Sequence, residues 1–340
     1  MLHDIQQRFT PAILTEALRC FGFAPTPLLE LEGSAFVYEG LREGLPCILK
    51  IAPGVWNTAQ QITGSTREQL LAEVDFVRYL AENGLPVALP LPSRDGNWVE
   101  LLPLDDHACF LAYAFKKAPG EMYPDEDEVH FPAAILVEWG RLSGWLHRLS
   151  AAYLPHPQRR RLPWHTNDLL DFPALIPNEQ KLVYQRRDEL LDRLNALPQD
   201  PEFYGLVHGD FHHGNFLVEG EKITLFDFDA AEYFWYAGEV CVALYNCLPL
   251  PRAETAKRRR YALDYLQQFL RGYRQEKAFS DFWLAQIPLF LKHCELLNYA
   301  YFHKYWDLLN LSPRRAEVLA DFRRRIEEGI PVVVFEPGDL

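Results

Sequence analysis

Residues 206–229 read LVHGDFHHGNFLVEGEKITLFDFD and set His208, Asp210, His212, His213, Asn215, Asp227 and Asp229 between short apolar runs. Carboxylates, an amide and imidazoles at this density can hold a metal, move a proton, or do both. A zinc or two-metal hydrolase would draw on His208, Asp210, His212 and His213. Against it, the spacing matches no H-E-x-x-H helix, Gly209 and Gly214 oppose a helix, and no second histidine cluster supplies further ligands. A purely structural loop would need a partner for every one of these polar groups, an expensive way to fill a core. Phosphoryl transfer uses the set more fully. It needs a carboxylate to orient an acceptor hydroxyl and take its proton, oxygen ligands for Mg²⁺, and a cation on the nucleotide phosphates. In the protein-kinase layout the catalytic Asp stands five residues before a metal-binding Asn, and a second metal-binding Asp follows a hairpin strand. Asp210 and Asn215 have that spacing, and Asp227 follows the apolar stretch 223–226 across a turn at 219–222.

Such a site needs a strand to carry the phosphate-binding cation, and the N-terminal third offers one. Apolar runs at 28–31, 35–38 and 47–51, separated by glycine-containing turns, predict a small antiparallel sheet. Lys50 stands inside the third run; alone it reads equally as an edge-strand lysine with its charge in solvent. Leu70, Val74, Val77 and Leu80 share one face of a helix over 66–82, with Ser65 and Glu68 as a capping box and Asn83 and Gly84 as its stop. Glu73 borders that face and can turn inward. Taken with Asp210, Asn215 and Asp227, Lys50 would hold the phosphates, Glu73 would hold Lys50, and the turn at Gly33 and Ser34 would lie over the nucleotide.

The remaining segments frame these two groups. Residues 4–21 predict an amphipathic helical stretch broken by Pro11 and ended by Gly22. Asp95 and Gly96, between 89–91 and 98–102, predict a hairpin, and 109–115 an apolar strand. After Lys116 and Lys117 the composition turns acidic over 121–128 and then helical, which sets the lobe boundary within 116–120: an N-lobe of 1–117 and a C-lobe of 118–340. Ile135, Trp139, Leu142, Leu146 and Leu149 form a narrow buried stripe over 132–150, with His147 beside it as a packed structural histidine. Residues 151–175, rich in Pro, Arg and His, predict an irregular connection. Helical spacing returns at 179–197, 254–275, 281–309 and 313–328.

Composition narrows the partners. With 340 residues, 49% of them hydrophobic and 24% charged, the chain can bury a large core. A net charge of −13 disfavours non-specific contact with nucleic acid or anionic lipid. Cys20, Cys47, Cys109, Cys241, Cys247 and Cys294 are scattered with no C-x-x-C pair, and read as reduced thiols rather than zinc ligands or disulfides. The N-terminal residues lack a basic and then apolar signal pattern, and no run approaches the ~20 apolar residues that span a bilayer, so a cytoplasmic location and no membrane partner are expected.

The H-G-D-F-H-H-G-N run followed by D-F-D resembles the aminoglycoside phosphotransferase and choline kinase superfamily, whose signature is H-G-D-x-H-x-x-N followed by a D-[FW]-D/E strand end. The resemblance extends over most of the chain, through LPCILKI, REQLLAEVDFVRYLAENGLPV and GRLSGWLHRLS. It implies an α+β, bilobal protein-kinase-like fold with a small antiparallel-sheet N-lobe, a mainly helical C-lobe, and ATP or GTP with Mg²⁺ between them. Carried over by residue, it implies Asp210 as catalytic base, Asn215 and Asp227 as Mg²⁺ ligands, Lys50 on the phosphates and Glu73 as its partner, with Glu68 as the alternative. His208 and His212 would support the loop, and Asp229 would aid metal or loop geometry. A hinge through 111–115, including Tyr113 and Phe115, would bond the nucleotide base. The chain departs from the pattern at His213, which the motif does not cover, and at Glu239, where the family often has aspartate.

The acceptor is less defined. The acidic groups at 125–128, Glu232 and Glu239 suit an amine-bearing alcohol, such as an amino sugar or amino alcohol. Tyr233, Phe234, Trp235, Tyr236, Tyr301, Tyr305 and Trp306 could stack on it, or could be core. The expected activity is therefore ATP-dependent, Mg²⁺-requiring phosphorylation of a small hydroxyl-bearing molecule. The other reading is a catalytically silent, kinase-like nucleotide-binding or scaffold protein; Lys50, Asp210, Asn215 and Asp227 together favour the enzyme.

Overall fold

A computed structural model of the chain describes residues 2–31, 33, 35–55, 66–123, 131–248, 255–336 and 338–339. Pro11 separates α1 (Leu2–Gln6) from α2 (Pro11–Phe21), and Gly22, at φ 71°, stops the second by donating its N–H to the Arg19 carbonyl. Both helices lie by an antiparallel sheet that begins with β1 (Leu29–Leu31), β2 (Phe36–Arg42) and β3 (Leu45–Val55). After α3 (Arg67–Glu82) come β4 (Pro90–Leu91), β5 (Glu100–Pro103) and β6 (Ala108–Lys116). The sheet order is β1-β2-β3-β6-β4, with β5 also on β6.

The expected hairpin around Asp95 and Gly96 is not formed as a ladder. Strands β4 and β5 lie end to end along β6, with Pro90 opposite Phe115 and Glu100 opposite Ala112. Pro90 and Pro92 have no N–H to donate, and the Ser93 hydroxyl instead accepts from the N–H groups of Asp95 and Asn97 in a local turn. The capping box of α3 also sits one residue later than expected. The Thr66 hydroxyl accepts from Gln69 N at 3.2 Å and Gln69 Oε1 accepts from Thr66 N at 2.9 Å, while Ser65 lies outside the described residues.

Helix α3 ties the sheet to the rest of the molecule. Leu70, Leu71 and Val74 pack with Cys109, Leu111 and Tyr113, whereas Phe76, Val77 and Leu80, one turn on, join the large C-terminal core. That core is built from β7 (Glu121–Met122), α4 (Ala133–Ala152), α5 (Phe172–Leu175), α6 (Lys181–Asn195) and β8 (Tyr204–Val207). The β9 (Phe216–Glu219) and β10 (Lys222–Leu225) hairpin follows, then β11 (Glu232–Trp235), α7 (Tyr236–Tyr245) and α8 (Thr255–Tyr273). The remaining helices are α9 (Asp281–Leu284), α10 (Ile287–Tyr305) and α11 (Pro313–Glu327). Strand β7 adds to β9, and β8 pairs with β11.

All five residues of the predicted α4 stripe are buried, and Trp139 at its centre meets the rings of Phe211, Phe216, Tyr265 and Phe269. Helices α4 and α8 touch backbone to backbone. A Cβ on Gly140 would stand 1.9 Å from the Phe269 carbonyl oxygen, and one on Gly272 1.8 Å from that of Val137. The six cysteines are free, and all but Cys20 are buried. Among the described residues no helix is long and apolar enough to cross a membrane.

Candidate active site

The catalytic-loop candidate starts where β8 ends. Gly209 has φ +84°, and a Cβ there would stand 2.0 Å from the Ala230 carbonyl oxygen, so only glycine makes this turn against the loop after β10. His208 is fully buried; its Nε2 donates to the Phe226 carbonyl at 2.9 Å and leaves Nδ1 to accept from Asp210 N at 3.4 Å. His212 Nδ1 accepts from Gly214 N at 2.9 Å, which puts the ring proton on Nε2, 3.3 Å from Asp210 Oδ2. Asn215 Nδ2 donates to the Asp210 carbonyl at 2.7 Å and to its Oδ2 at 3.1 Å. Burial pushes the Asp210 carboxyl up, but His212, His208 and Asn215 outweigh it and hold the group below the ordinary aspartate value. Asp210 is thus kept as a carboxylate, half-exposed and ready to accept a proton.

This loop is braced from behind by a residue whose role the sequence did not reveal. Glu239, on α7, is 1% exposed; its Oε1 accepts from Gly209 N at 2.9 Å and its Oε2 from His147 Nε2 at 2.6 Å. His147 Nδ1 in turn accepts from the Tyr273 hydroxyl at 2.9 Å. Burial lowers the His147 pKa despite the carboxylate, so the ring stays neutral with its proton on Nε2. His147 is structural, as expected, and the structure adds that its partner holds the catalytic loop. Glu239 therefore does not face an acceptor.

The phosphate side is arranged differently from the expectation. Lys50, 8% exposed, forms its ion pair with Asp227 and not with Glu73. Burial pulls the Lys50 ammonium down, but Asp227, Asp229 and Glu73 raise it above its ordinary value. Glu73 is fully buried, neither of its oxygens has a hydrogen-bond partner, and the Arg161 guanidinium stands 3.9 Å away. Its burial pushes the carboxyl up to about 7, against the pull of Arg161 and Lys50. The physical reason for the exchange is desolvation: Asp227, with 30% of its side chain exposed, carries a charge more cheaply than Glu73 does. Glu68 is not the alternative partner, since it is exposed and faces Arg159 at 3.7 Å. Asp227 itself adopts φ 63° and ψ 64°, a left-handed conformation that aspartate tolerates.

Arg161 comes from the irregular connection, where no periodicity marked it. It donates to the Ala231 carbonyl at 2.6 Å and to the Asp229 carbonyl, binding the loop after β10 to α3. Asp229 also contributes its charge to Lys50 and Glu73.

A cleft of about 550 Å³ lies between the sheet and the C-terminal core, and Gly33, Lys50, Asn215 and Asp227 all line it. Ser34 lies outside the described residues. The expected hinge is displaced: Tyr113 is buried against α3 and does not line the cleft, whereas Phe115, Lys116, Lys117 and Ala118 do. Residues 113 and 115 share one face of β6, and what separates them is cover: Tyr113 is packed under Leu70, Leu71 and Val74 of α3, whereas Phe115, near the end of the strand, reaches the cleft. Of the proposed acceptor residues, Phe234, Trp235 and Tyr236 are core, burial pushes the Glu232 carboxyl up to about 8, and 125–128 lie outside the described residues.

A strand lysine and a post-hairpin aspartate on one cleft, with a buried helix glutamate behind the lysine and an H-G-D loop joined to the cleft through Asn215, are the parts of a kinase-like phosphotransferase. The profile of the phosphotransferase enzyme family matches residues 43–279, and the chain belongs to that family as a small-molecule kinase. It is 34% identical over 336 residues to amicoumacin kinase of Bacillus subtilis (strain 168), covering 98% of this chain and 97% of that one. The solved structure of amicoumacin kinase hAmiN in complex with AMP-PNP, Ca²⁺ and Ami superimposes with a TM-score of 0.90 at 33% identity, over 99% of this chain and 98% of the other. A microcompartment-associated aminopropanol kinase shares the fold, with a TM-score of 0.70 at 19% identity over 94% and 95% of the chains.

Proposed function

We propose that the chain moves the γ-phosphate of ATP, with Mg²⁺, to a hydroxyl of a small amine-bearing molecule, and that amicoumacin is the acceptor to test first. The observation that carries the mechanism is Asp210, bonded by His212 and by Asn215, which lines the cleft with Lys50 and Asp227. Support for nucleotide, divalent metal and acceptor comes from the AMP-PNP, Ca²⁺ and Ami bound by the similar kinase.

In this reading Asp210 orients the acceptor hydroxyl and takes its proton, and Lys50 holds the nucleotide phosphates. Glu73 would steady Lys50 from behind. The residues fit a hard divalent ion: Asn215 spends its Nδ2 on Asp210 and keeps its amide oxygen, and the Asp227 carboxylate faces the same cleft. Among the described residues no cluster of three His, Cys, Asp or Glu could cage a metal, which suits an ion whose other ligands are phosphate and water. Bound there, Mg²⁺ would neutralise charge on the transferring phosphoryl group. His208 and Gly209 set the loop, and Asp229 its distal turn. Gly33 and the adjoining Ser34 would cover the nucleotide, with Phe115 rather than Tyr113 reaching its base. The lobes would divide after residue 117, at the end of the run 115–118 that lines the cleft.

The test is ADP release with amicoumacin present. Asp210→Ala is expected to lower kcat by roughly 10²–10⁴-fold, while Mg·ATP still raises Tm. Undiminished turnover in that variant would overturn the mechanism.

A further inference from the structure

The irregular connection between α4 and α5 runs as a strap from α3 to β11. Arg159 reaches α3, with its Nη1 3.1 Å from Asp75 Oδ2 and its Nε 3.7 Å from Glu68 Oε2. Two residues on, Arg161 reaches the same helix, donating to the Gln69 carbonyl at 3.4 Å and standing 3.9 Å from Glu73 Oε2. The chain then passes beside β11, where the Leu162 carbonyl accepts from Tyr233 N at 3.1 Å and Pro163 forms a bridge with Tyr233. One short segment thus touches both the helix that carries Glu73 and the strand that follows Asp227 and Asp229.

Within that strap Arg161 spends its donors on backbone. Its guanidinium, with 13% of the side chain exposed, stands beside a fully buried carboxyl yet makes no hydrogen bond to it. Such groups readily meet as a bidentate pair. Here Nε donates to the Ala231 carbonyl at 2.6 Å, Nη2 to the Asp229 carbonyl and Nη1 to that of Gln69. The first two carbonyls belong to the end of a single 3₁₀ turn, Phe228–Ala230, and the residue that caps the start of this turn is Asp227 in its left-handed conformation. The carbonyl between them, that of Ala230, lies against the catalytic loop, where a Cβ on Gly209 would approach it to 2.0 Å. A left-handed residue other than glycine persists only where its surroundings hold it, and Arg161 supplies part of that hold.

We infer that Arg161 is a positioning residue for the divalent-ion site: by gripping the carbonyls of Asp229 and Ala231, its forked guanidinium aims the Asp227 carboxylate into the cleft and keeps it in register with α3. The inference rests on the phosphotransferase reading and adds a residue to it. Arg161 does not line the cleft, so it acts only through the loop that it holds. The fork, and not the charge, is the working feature. A lysine ammonium in the same place would still stand beside Glu73, but it is a point charge without the rigid, planar set of donors that spans two carbonyls.

Mn²⁺ is the probe, its binding measured by electron paramagnetic resonance on the full chain saturated with AMP-PNP, well below the Tm of each variant. Arg161→Met removes both charge and fork, and Arg161→Lys keeps the charge alone. Both are expected to bind Mn²⁺ about 10–100-fold more weakly than the unaltered chain, the range found when a group that orients a metal ligand is lost. A residue that only stabilises the fold would lower Tm and leave the Mn²⁺ affinity of the folded chain as it was; that result would overturn the proposal. Full affinity in Arg161→Lys would also overturn it, by making charge the working feature. So would the absence of any folded Arg161→Lys chain by circular dichroism in the cold, since Arg161 would then be a determinant of the fold. If the unaltered chain holds no Mn²⁺ with AMP-PNP, the phosphotransferase reading falls and this inference with it, so the unaltered chain alone tells the two failures apart.

Discussion

Glu73 and Glu239 are both helical glutamates with almost no exposure, yet their surroundings are opposite. Glu239 has each oxygen engaged, one by Gly209 N and one by His147 Nε2. Glu73 has neither engaged, and its carboxyl titrates near neutrality. A buried carboxylate with full partners is a fixed strut, because removing any one contact strands the others. A buried carboxyl with no hydrogen bond, and only the Arg161 guanidinium 3.9 Å away, is a held reserve of charge, able to take a proton at little structural cost. The two buried acids thus differ in kind: Glu239 fixes the loop that carries Asp210, whereas Glu73 adds its charge behind Lys50.

The largest effect expected to test this contrast is at the strut. Glu239→Ala strands Gly209 N and His147 Nε2 in the core and should cost about 2–5 kcal/mol, on the order of 1–3 for each stranded group, read from urea unfolding; a loss below ~1 kcal/mol would erase the distinction. Next is the reserve. The folded Glu73 binds its proton more tightly than the unfolded chain does, so it withdraws stability as pH rises from the ordinary carboxyl value of 4.5 through about 7. Glu73→Gln should therefore stabilise the chain by up to roughly 3 kcal/mol above pH 7, at 1.36 kcal/mol per tenfold change in proton affinity. The gain should vanish below pH 4.5. Equal gains across that range in thermal melts would contradict the picture. The smallest effect concerns the loop that Glu239 supports: His212→Ala removes a donor that holds Asp210 low, so the acid limb of kcat/KM should move up toward the ordinary aspartate range. An unmoved limb would show that His212 does not set the base.

The sequence disclosed the parts that depend on local chemistry. Lys50 within an apolar strand, the α4 stripe through Trp139, and the five-residue step from Asp210 to Asn215 are each written in adjacent residues, and each is found in the structure. What it concealed depends on folding distant segments together. His147 and Glu239 are 92 residues apart, and only the packing of α4 on the central loop makes them partners. Arg161 and Ala231 are 70 apart, and Arg161 lies in a stretch whose irregularity hides its function. The Lys50 ion pair is hidden for a different reason: pattern places Glu73 near Lys50 but says nothing of relative desolvation, and the contact itself goes to the more exposed Asp227. The misplaced hairpin shows the same limit, since a turn signal does not say which strand its arms will meet.

The glycine contacts between α4 and α8 have a consequence for how this chemistry can diversify. Gly140 and Gly272 fix the spacing of the two helices at backbone contact, so the side chains at their ends can change without altering the frame that carries them. Leu136 on one helix and Tyr261, Tyr265 and Gln268 on the other line a cavity of about 290 Å³ beside that frame. Side chains at that cavity can therefore be exchanged while the spacing of the two helices is kept.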